Sequence, residues 1–253
     1  PTFYRQMAPL VPATGLPSLR VTVSSGEMLP ADTRATWQRA TGLEMTECLG
    51  STEMLHAFIA CRPGQVRAGA TGQVVPGYQA CVLVDDGQPV PPGVVGRLAV
   101  KGPTGCRYLD DPRQTSYVQN GWNLTGDAYR VDEDGFYWYQ SRTDDMIVSG
   151  GENVFSAEVE SVISTHPNVA AVAVIGIPSD QWGESVHAII IPKPGTNSDE
   201  ASIIAHCKAQ IAGYKCPRSI TLRSEPFPVS GAGKVLKREL RAPYWDGQTR
   251  SVN

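Results

Sequence analysis

The chain has 253 residues, 41% of them hydrophobic and 19% charged, which is enough apolar material for a packed core and excludes wholesale disorder. Its formal net charge of −3 gives no basic balance pointing to nucleic acid or an anionic membrane. The longest apolar run, over 169–177, falls well short of the roughly 18–20 residues that span a bilayer, and the opening PTFYRQMAPLVPATG lacks the charged start and apolar centre of a signal peptide.

In chain order, LRVTVS at 19–24 alternates like a strand. Residues 30–40 read as a helix, with Pro30 at its start and Gly42 just past its end. Strand followed by helix followed by strand predicts the tail of an α/β layer over 1–62. Over 63–141 glycine and proline recur every few positions around short β-rich runs at 80–84, 97–100 and 136–140, and Asp134-Gly135 reads as a hairpin turn. This predicts a distorted β-barrel or an antiparallel sheet. Residues 145–253 read as a separate α+β unit. Ser156 caps a helix whose Val159, Val162 and Ile163 share a face and which ends before Pro167. Strands follow over 169–176 and 186–191. Ser198 then caps a second helix with Ile203, Ile204, Cys207 and Ile211, closed near Gly213. A domain boundary is expected near 142–146.

The six cysteines include no C-x-x-C pair, and the four histidines include no H-x-x-x-H pattern. The cysteines read as reduced, small hydrophobes of a cytoplasmic protein, and a zinc site has no support.

Four stretches carry chemistry, and each has an ordinary structural reading as well. Leu49-Gly50-Ser51-Thr52-Glu53-Met54 puts hydroxyls and a carboxylate behind a glycine. Glu53 suits a hard cation such as Mg²⁺, or Ser51 and Thr52 cap a helix with Glu53 facing its dipole. Leu124-Thr125-Gly126-Asp127 is a turn, or a fixed carboxylate able to accept two ribose hydroxyls. The stretch SRTDDMIVSGGEN at 141–153 runs from charges through an apolar strand to a glycine pair, as at a domain junction. Ser230-Gly231-Ala232-Gly233-Lys234-Val235 fails the phosphate-loop pattern, because its Gly-Lys pair is followed by valine and lacks the earlier glycine. It leaves a lysine on a flexible tip, able to act as a mobile point charge. Lys234, Lys237, Arg238 and Arg241 cluster there, either as a solvated basic tail or as charge for ATP and carboxylate chemistry.

Taken together, GSTE (50–53), TGD (125–127), SRTDD…SGGENVFSAEVE (141–160) and PVSGAGKVLKRELR (228–241) resemble, in order and spacing, the adenylate-forming (AMP-binding) superfamily of acyl- and aryl-CoA ligases. SSGEMLP (24–30), GSTEMLHAF (50–58) and GYKCPRSI (213–220) are most similar to its benzoate-CoA ligase branch. The resemblance implies α/β and α+β folding: the end of an α/β subdomain, a β-barrel-like subdomain and a small mobile C-terminal domain. It implies ATP-dependent activation of a carboxylic acid to an acyl-adenylate, then transfer to coenzyme A. By the same resemblance Glu53 would bind Mg²⁺ and Thr52 the phosphate. Asp127 would hold the ribose hydroxyls, with Arg142 beside them and Tyr139 against the nucleoside. Lys234 would be the mobile catalytic lysine, Asp144 the hinge and Gly151 the wall of the pantetheine tunnel. The partners implied are a carboxylic acid and CoA, in the cytoplasm, with a homodimer for the full-length parent.

Departures are Leu49 for an aromatic residue, which suits the benzoate branch, Ser141 for the glycine before Arg142, and Arg97 for the glutamate of G-E-L. The family's Ser/Thr/Gly-rich phosphate loop is missing. The chain is therefore expected to be the C-terminal half of an enzyme about twice as long, with little adenylation alone. Two rivals stay open. One is a non-catalytic fragment or split subunit that binds nucleotide, CoA or a partner. The other is an adenylating enzyme with a different acceptor, such as a carrier protein.

Overall fold

A computed structural model of the chain describes residues 1–246 apart from Asp85, Asn197, Ser198 and Ala232. The chain divides into two compact units, Pro1–Tyr139 and Gln140–Asn253, just before the boundary expected from sequence.

The first unit opens with α1 (Thr2–Met7), β1 (Thr22–Ser24), α2 (Ala31–Thr41) and β2 (Met45–Gly50). Pro30 holds φ at −64° ahead of α2, and Gly42 ends it in the left-handed region, its N–H returning to the Gln38 carbonyl at 2.8 Å. α2 buries Trp37 against Leu29, Ala8 and Met45, with Tyr4 edge-on to the indole at 4.7 Å. β1 and β2 run parallel, and the sheet continues antiparallel through β3 (Ala57–Ala60) and β4 (Gln73–Val74).

A second sheet holds β5 (Gln79–Leu83), β6 (Val95–Lys101), β7 (Val118–Gln119, after the short α3, Arg113–Tyr117), β8 (Trp122–Val131) and β9 (Tyr137–Arg142). Its order is β5-β6-β8-β7, each antiparallel to its neighbour, with β9 beside β8. Met54, Phe58 and Ile59 share one core with Val82, Leu98, Val100, Tyr129 and Tyr137, so the two sheets close on common contents as a curled half-barrel. Gly72 sits where they meet, bridged to Tyr137 with φ of +134°. A Cβ there would fall 2.1 Å from the Ala60 carbonyl carbon, so only glycine fits.

The second unit contains β10 (Ile147–Ser149), β11 (Glu152–Val154), α4 (Ser156–Ser164), β12 (Val169–Ser179), β13 (Gly183–Pro192), α5 (Glu200–Lys208), β14 (Ser219–Leu222) and α6 (Lys237–Trp245). The sheet order is β11-β10-β13-β12, with β14 parallel to β13. Val186, Ala188 and Ile190 pack with Val159, Ile163, Ile203 and Cys207. The alternate residues Ala173, Ile175 and Ile189 pack with Leu240 of α6 on the other face. Burial on both faces explains why β12 reads as a continuous apolar run.

Local expectations change here. Ser156 does not cap α4. Phe155 occupies that position with no side-chain bond, and the Ser156 hydroxyl accepts instead from Lys237 Nζ at 2.9 Å. Ser198 lies outside the described residues, while Asp199 caps α5 by accepting the Ser202 N–H at 3.2 Å. α5 ends at Lys208 rather than near Gly213, because the Gln210 and Ile211 N–H groups both turn back to the Cys207 carbonyl at 2.9 Å. The cysteines are free thiols. Cys61, Cys207 and Cys216 are buried, but Cys106 is exposed and is not a core hydrophobe. Among the described residues no helix is long and apolar enough to cross a membrane.

Candidate functional site

In the first unit β2 stops at Gly50, where a Cβ would lie 2.7 Å from the His56 carbonyl oxygen. The chain must therefore turn on glycine. The segment that follows is a turn rather than a helix start. Ser51 Oγ accepts the Met54 N–H at 3.2 Å, the Leu55 N–H returns to the Thr52 carbonyl at 3.2 Å, and Leu55 takes a φ of +58°. A segment some fifty residues away holds this turn in place. The Thr104 hydroxyl donates to the Met54 carbonyl at 2.5 Å, the Cys106 N–H donates to the Glu53 carbonyl at 2.8 Å, and the Tyr108 hydroxyl donates to the Glu53 carboxylate. The Arg113 guanidinium lies 4.9 Å over the Tyr108 ring and forks onto Asp111. Tyr117 stands edge-on to Tyr108 at 6.2 Å, its phenol pushed up to about 12, chiefly by burial. Glu53 is thus half-buried and fixed, with Thr52 exposed beside it.

Asp127 stands on a bulge. Arg97 pairs with Ala128 but Ala99 pairs with Leu124, so β8 carries extra residues opposite β6, and Gly126 absorbs them at φ +75°. Thr125 Oγ1 accepts the Asp127 N–H at 3.2 Å and donates to the Leu98 carbonyl at 3.4 Å. The buried Tyr129 phenol is held well above its ordinary value by desolvation and, further, by the charge of Asp127. Tyr139 meets the same ring edge-on at 5.5 Å. The unit therefore gathers Asp127 and Tyr139 around Tyr129, and holds Thr52 with Glu53 in a braced turn.

In the second unit Arg142 Nε donates to Asp144 Oδ1 at 3.2 Å, both side chains being largely exposed. The adjoining Asp145 carboxyl is raised by burial. Ser149 pairs with Glu152 across a two-residue turn in which Gly150 and Gly151 have φ of +63° and +84°, as a primed hairpin turn requires. A Cβ on Gly150 would press on the Trp182 ring at 2.8 Å, whereas one on Gly151 would meet nothing within 4 Å. Lys234 sits exposed on a tip closed by the Val229–Val235 bridge, with its own N–H on Ser230 Oγ at 3.2 Å and Gly233 at φ +81°.

The basic cluster after Lys234 does not act as one group. Lys237 pairs with Glu160 at 2.7 Å, and Arg241 pairs with the buried Glu184, so both tie α6 to the rest of the unit. Sequence reasoning missed Tyr108, Tyr117, Tyr129 and Glu184. Its only trace of the first two was the aromatic content of the polar stretch CRYLDDPRQTSY.

Comparison with known proteins covers both units. The "AMP-binding enzyme" family model matches residues 1–108, and the "AMP-binding enzyme C-terminal domain" model matches residues 158–234. A benzoate–CoA ligase of Thauera aromatica is 36% identical across 96% of this chain and 47% of its own length. A long-chain-fatty-acid–CoA ligase of Escherichia coli is 36% identical across 88% and 40%. Among solved structures, ATP-bound MatB from Rhodopseudomonas palustris has a TM-score of 0.89 at 32% identity, covering 97% of this chain and 50% of that one. An anthranilate CoA ligase in complex with anthranoyl-AMP has a TM-score of 0.84 at 38% identity, covering 90% and 45%. The chain spans about half the length of the relatives it matches.

Proposed function

Because the chain belongs to the AMP-binding enzyme family, with the fold of that family's C-terminal region, we propose that it serves an ATP-dependent acid–CoA ligase. The reaction runs in two steps. A carboxylate oxygen attacks the α-phosphorus of ATP and pyrophosphate leaves, giving an acyl-adenylate. The thiol of CoA, losing its proton, then attacks the acyl carbon and AMP leaves. The observation carrying this reading is that the family match runs through both units, with the sequence motifs in their expected order.

The residues have the chemistry for these roles. Asp127, lifted by the Gly126 bulge, is an acceptor-only group with two oxygens, suited to a pair of ribose hydroxyls, with Tyr139 nearby for the nucleoside. Arg142 would add a cation on the ribose side and Thr52 a hydroxyl for the phosphates. Lys234, on its exposed tip, would place a point charge between the acid and the α-phosphate as negative charge builds there. Gly151 leaves its turn without a side chain, as a passage for pantetheine needs. Asp144 would absorb the backbone rotation between the two steps.

Among the described residues no three His, Cys, Asp or Glu side chains are gathered for a metal. A single braced carboxylate is nonetheless the donor set suited to Mg²⁺, which binds through one or two carboxylates together with substrate phosphates. Glu53 fits that description, and the ion would neutralise phosphate charge. For the acid we favour an aromatic, benzoate-like one. The benzoate and anthranilate ligases among the relatives support it, while the fatty-acid ligase shows how wide the alternatives are.

The test is acid-dependent ATP–pyrophosphate exchange and thioester formation, measured on the 253-residue chain and on the longest polypeptide its gene encodes. Lys234→Ala should lower exchange about 100-fold or more. Gly151→Leu should spare exchange and stop thioester formation. Loss of the same step by both variants would refute the assignment of roles.

A further inference from the structure

We propose that Glu184 is a positioning residue that ties the glycine hairpin and the lysine tip of the second unit to one frame. Its carboxylate is 1% exposed, and its two oxygens serve two different elements. Oε2 accepts the N–H of Val148 at 3.1 Å, two residues before Gly150. Oε1 takes the guanidinium of Arg241 on α6, the helix that begins just after Lys234.

The surroundings are shaped to this carboxylate. A Cβ on Gly176 would come 2.6 Å from Oε2, so only glycine on β12 leaves it room. The Gly176 carbonyl in turn accepts Trp245 Nε1 at 3.0 Å, fixing the far end of α6 to the same spot. On the hairpin side, the Gly150 N–H donates to the Trp182 carbonyl at 2.8 Å, and Gly183 pairs with Ser149. The start of β13 therefore touches the hairpin and the helix that follows the lysine tip. Releasing either partner would leave a buried carboxylate short of a donor, so motion of α6 is felt at the hairpin.

The activity arm of this inference rests on the function proposed above, and the exchange arm does not. Amide hydrogen exchange is measured on the 253-residue chain and its Glu184→Gln and Arg241→Gln variants. Both variants should speed exchange at least fivefold at 148–151 and at 236–240 together, with 203–207 unchanged. Arg241→Gln keeps Glu184 and its bond to Val148, so it decides the matter if Glu184→Gln does not fold. Acceleration confined to 236–240 in Arg241→Gln would overturn the coupling, whatever the activity.

In the catalytically competent polypeptide, Glu184→Gln should slow pyrophosphate exchange and thioester formation alike, at least tenfold in kcat, with KM for ATP within twofold. Arg241→Gln should slow both likewise, whereas Arg241→Lys, which keeps the positive charge, should retain most of both rates, which a general loss of folding would not permit. Loss of only one half-reaction would also overturn the proposal. If coupled exchange is seen but neither reaction occurs in wild type, the functional reading fails and the positioning role stands.

Discussion

Lys237 separates two readings of the basic stretch after Lys234, because a catalytic cation and a structural anchor respond differently to removal. Its ammonium lies 2.7 Å from Glu160 Oε1 with both side chains about one-sixth exposed, at 16% and 17%, and it also donates to Ser156 Oγ at 2.9 Å. Glu160 Oε1 accepts one further donor, the Val174 N–H at 2.7 Å. Lys237→Met removes two of these three bonds and leaves a mostly buried carboxylate on a single amide. Breaking such a pair from one side costs about 3–5 kcal/mol, and the residual exposure together with the surviving amide bond puts this case near about 3 kcal/mol. For a unit of roughly 100 residues that lowers Tm by about 12 °C or more. In a Glu160→Gln background no charge is stranded, so the same substitution should cost only about 1 kcal/mol, a coupling of about 2 kcal/mol. The assay is thermal unfolding followed by tryptophan fluorescence, since the Trp245 indole is bonded to the Gly176 carbonyl and reports the seating of α6. A shift below about 3 °C, or an equal shift in both backgrounds, would show that the Lys237–Glu160 pair does not anchor the helix.

Three further outcomes are expected. His187 is buried against Ser219 at 2.7 Å and Thr221 and Tyr244 at 3.1 Å, and burial holds its imidazole below the ordinary value. The unfolded chain therefore takes up that proton first, so stability drops as pH falls below about 6.5, and His187→Gln should flatten this slope between about pH 7.5 and 5.5 in urea titrations. His166 acts with the same sign and the raised Glu47 and Asp145 with the opposite one, but all three are common to both proteins, so identical slopes would refute the role of His187. Tyr108→Phe removes the phenol that steadies Glu53 and should weaken apparent Mg²⁺ affinity in the exchange assay about tenfold, and an unchanged Mg²⁺ dependence counts against the brace. Iodoacetamide should label exposed Cys106 first, since burial raises the thiols of Cys61, Cys207 (to about 11) and Cys216; peptide mapping that finds any of these three ahead of Cys106 contradicts the packing described.

What the sequence disclosed depended on how local the cause was. Pro30 and Gly42 bracket α2 because φ limits act within one residue, and the apolar run of β12 is legible because both of its faces are covered. Strands of two residues such as β4 and β7 exist only through their partners, so nothing within them announces them. Ser156 had the right residue type for a cap, but a lysine 81 positions later takes its hydroxyl. α6 went unread because Pro243 lies inside it, and four contacts to distant residues outweigh the lost backbone bond: Lys237–Glu160, Arg241–Glu184, Tyr244–His187 and Trp245–Gly176. In the candidate site the motif residues were legible as a set. The Tyr108–Glu53 bond, spanning 55 positions, and the bulge that lifts Asp127 were not.

The two units hold their candidate residues in opposite ways, and this bears on what each can do. Glu53 and Asp127 sit on backbone set by glycine and by side chains from far along the sequence, so their carboxylates lose little freedom on meeting a ligand. That suits groups that bind a nucleotide, because preorganised acceptors need not be ordered at the moment of binding. Lys234 has an exposed side chain at the end of a glycine-flanked tip, yet the helix beginning just beyond it is pinned by two ion pairs with carboxylates inside the unit. The Lys234 side chain therefore projects into solvent while the base of its tip is held. The role proposed for Lys234, a point charge needed in one step and out of the way in the next, would call for a rigid mount with a short end able to move, since a mount that drifted would cost orientation in the first step. Gly233→Ala, which is strained at φ +81°, should displace the tip and therefore impair the adenylation step proposed for Lys234 while α6 stays seated.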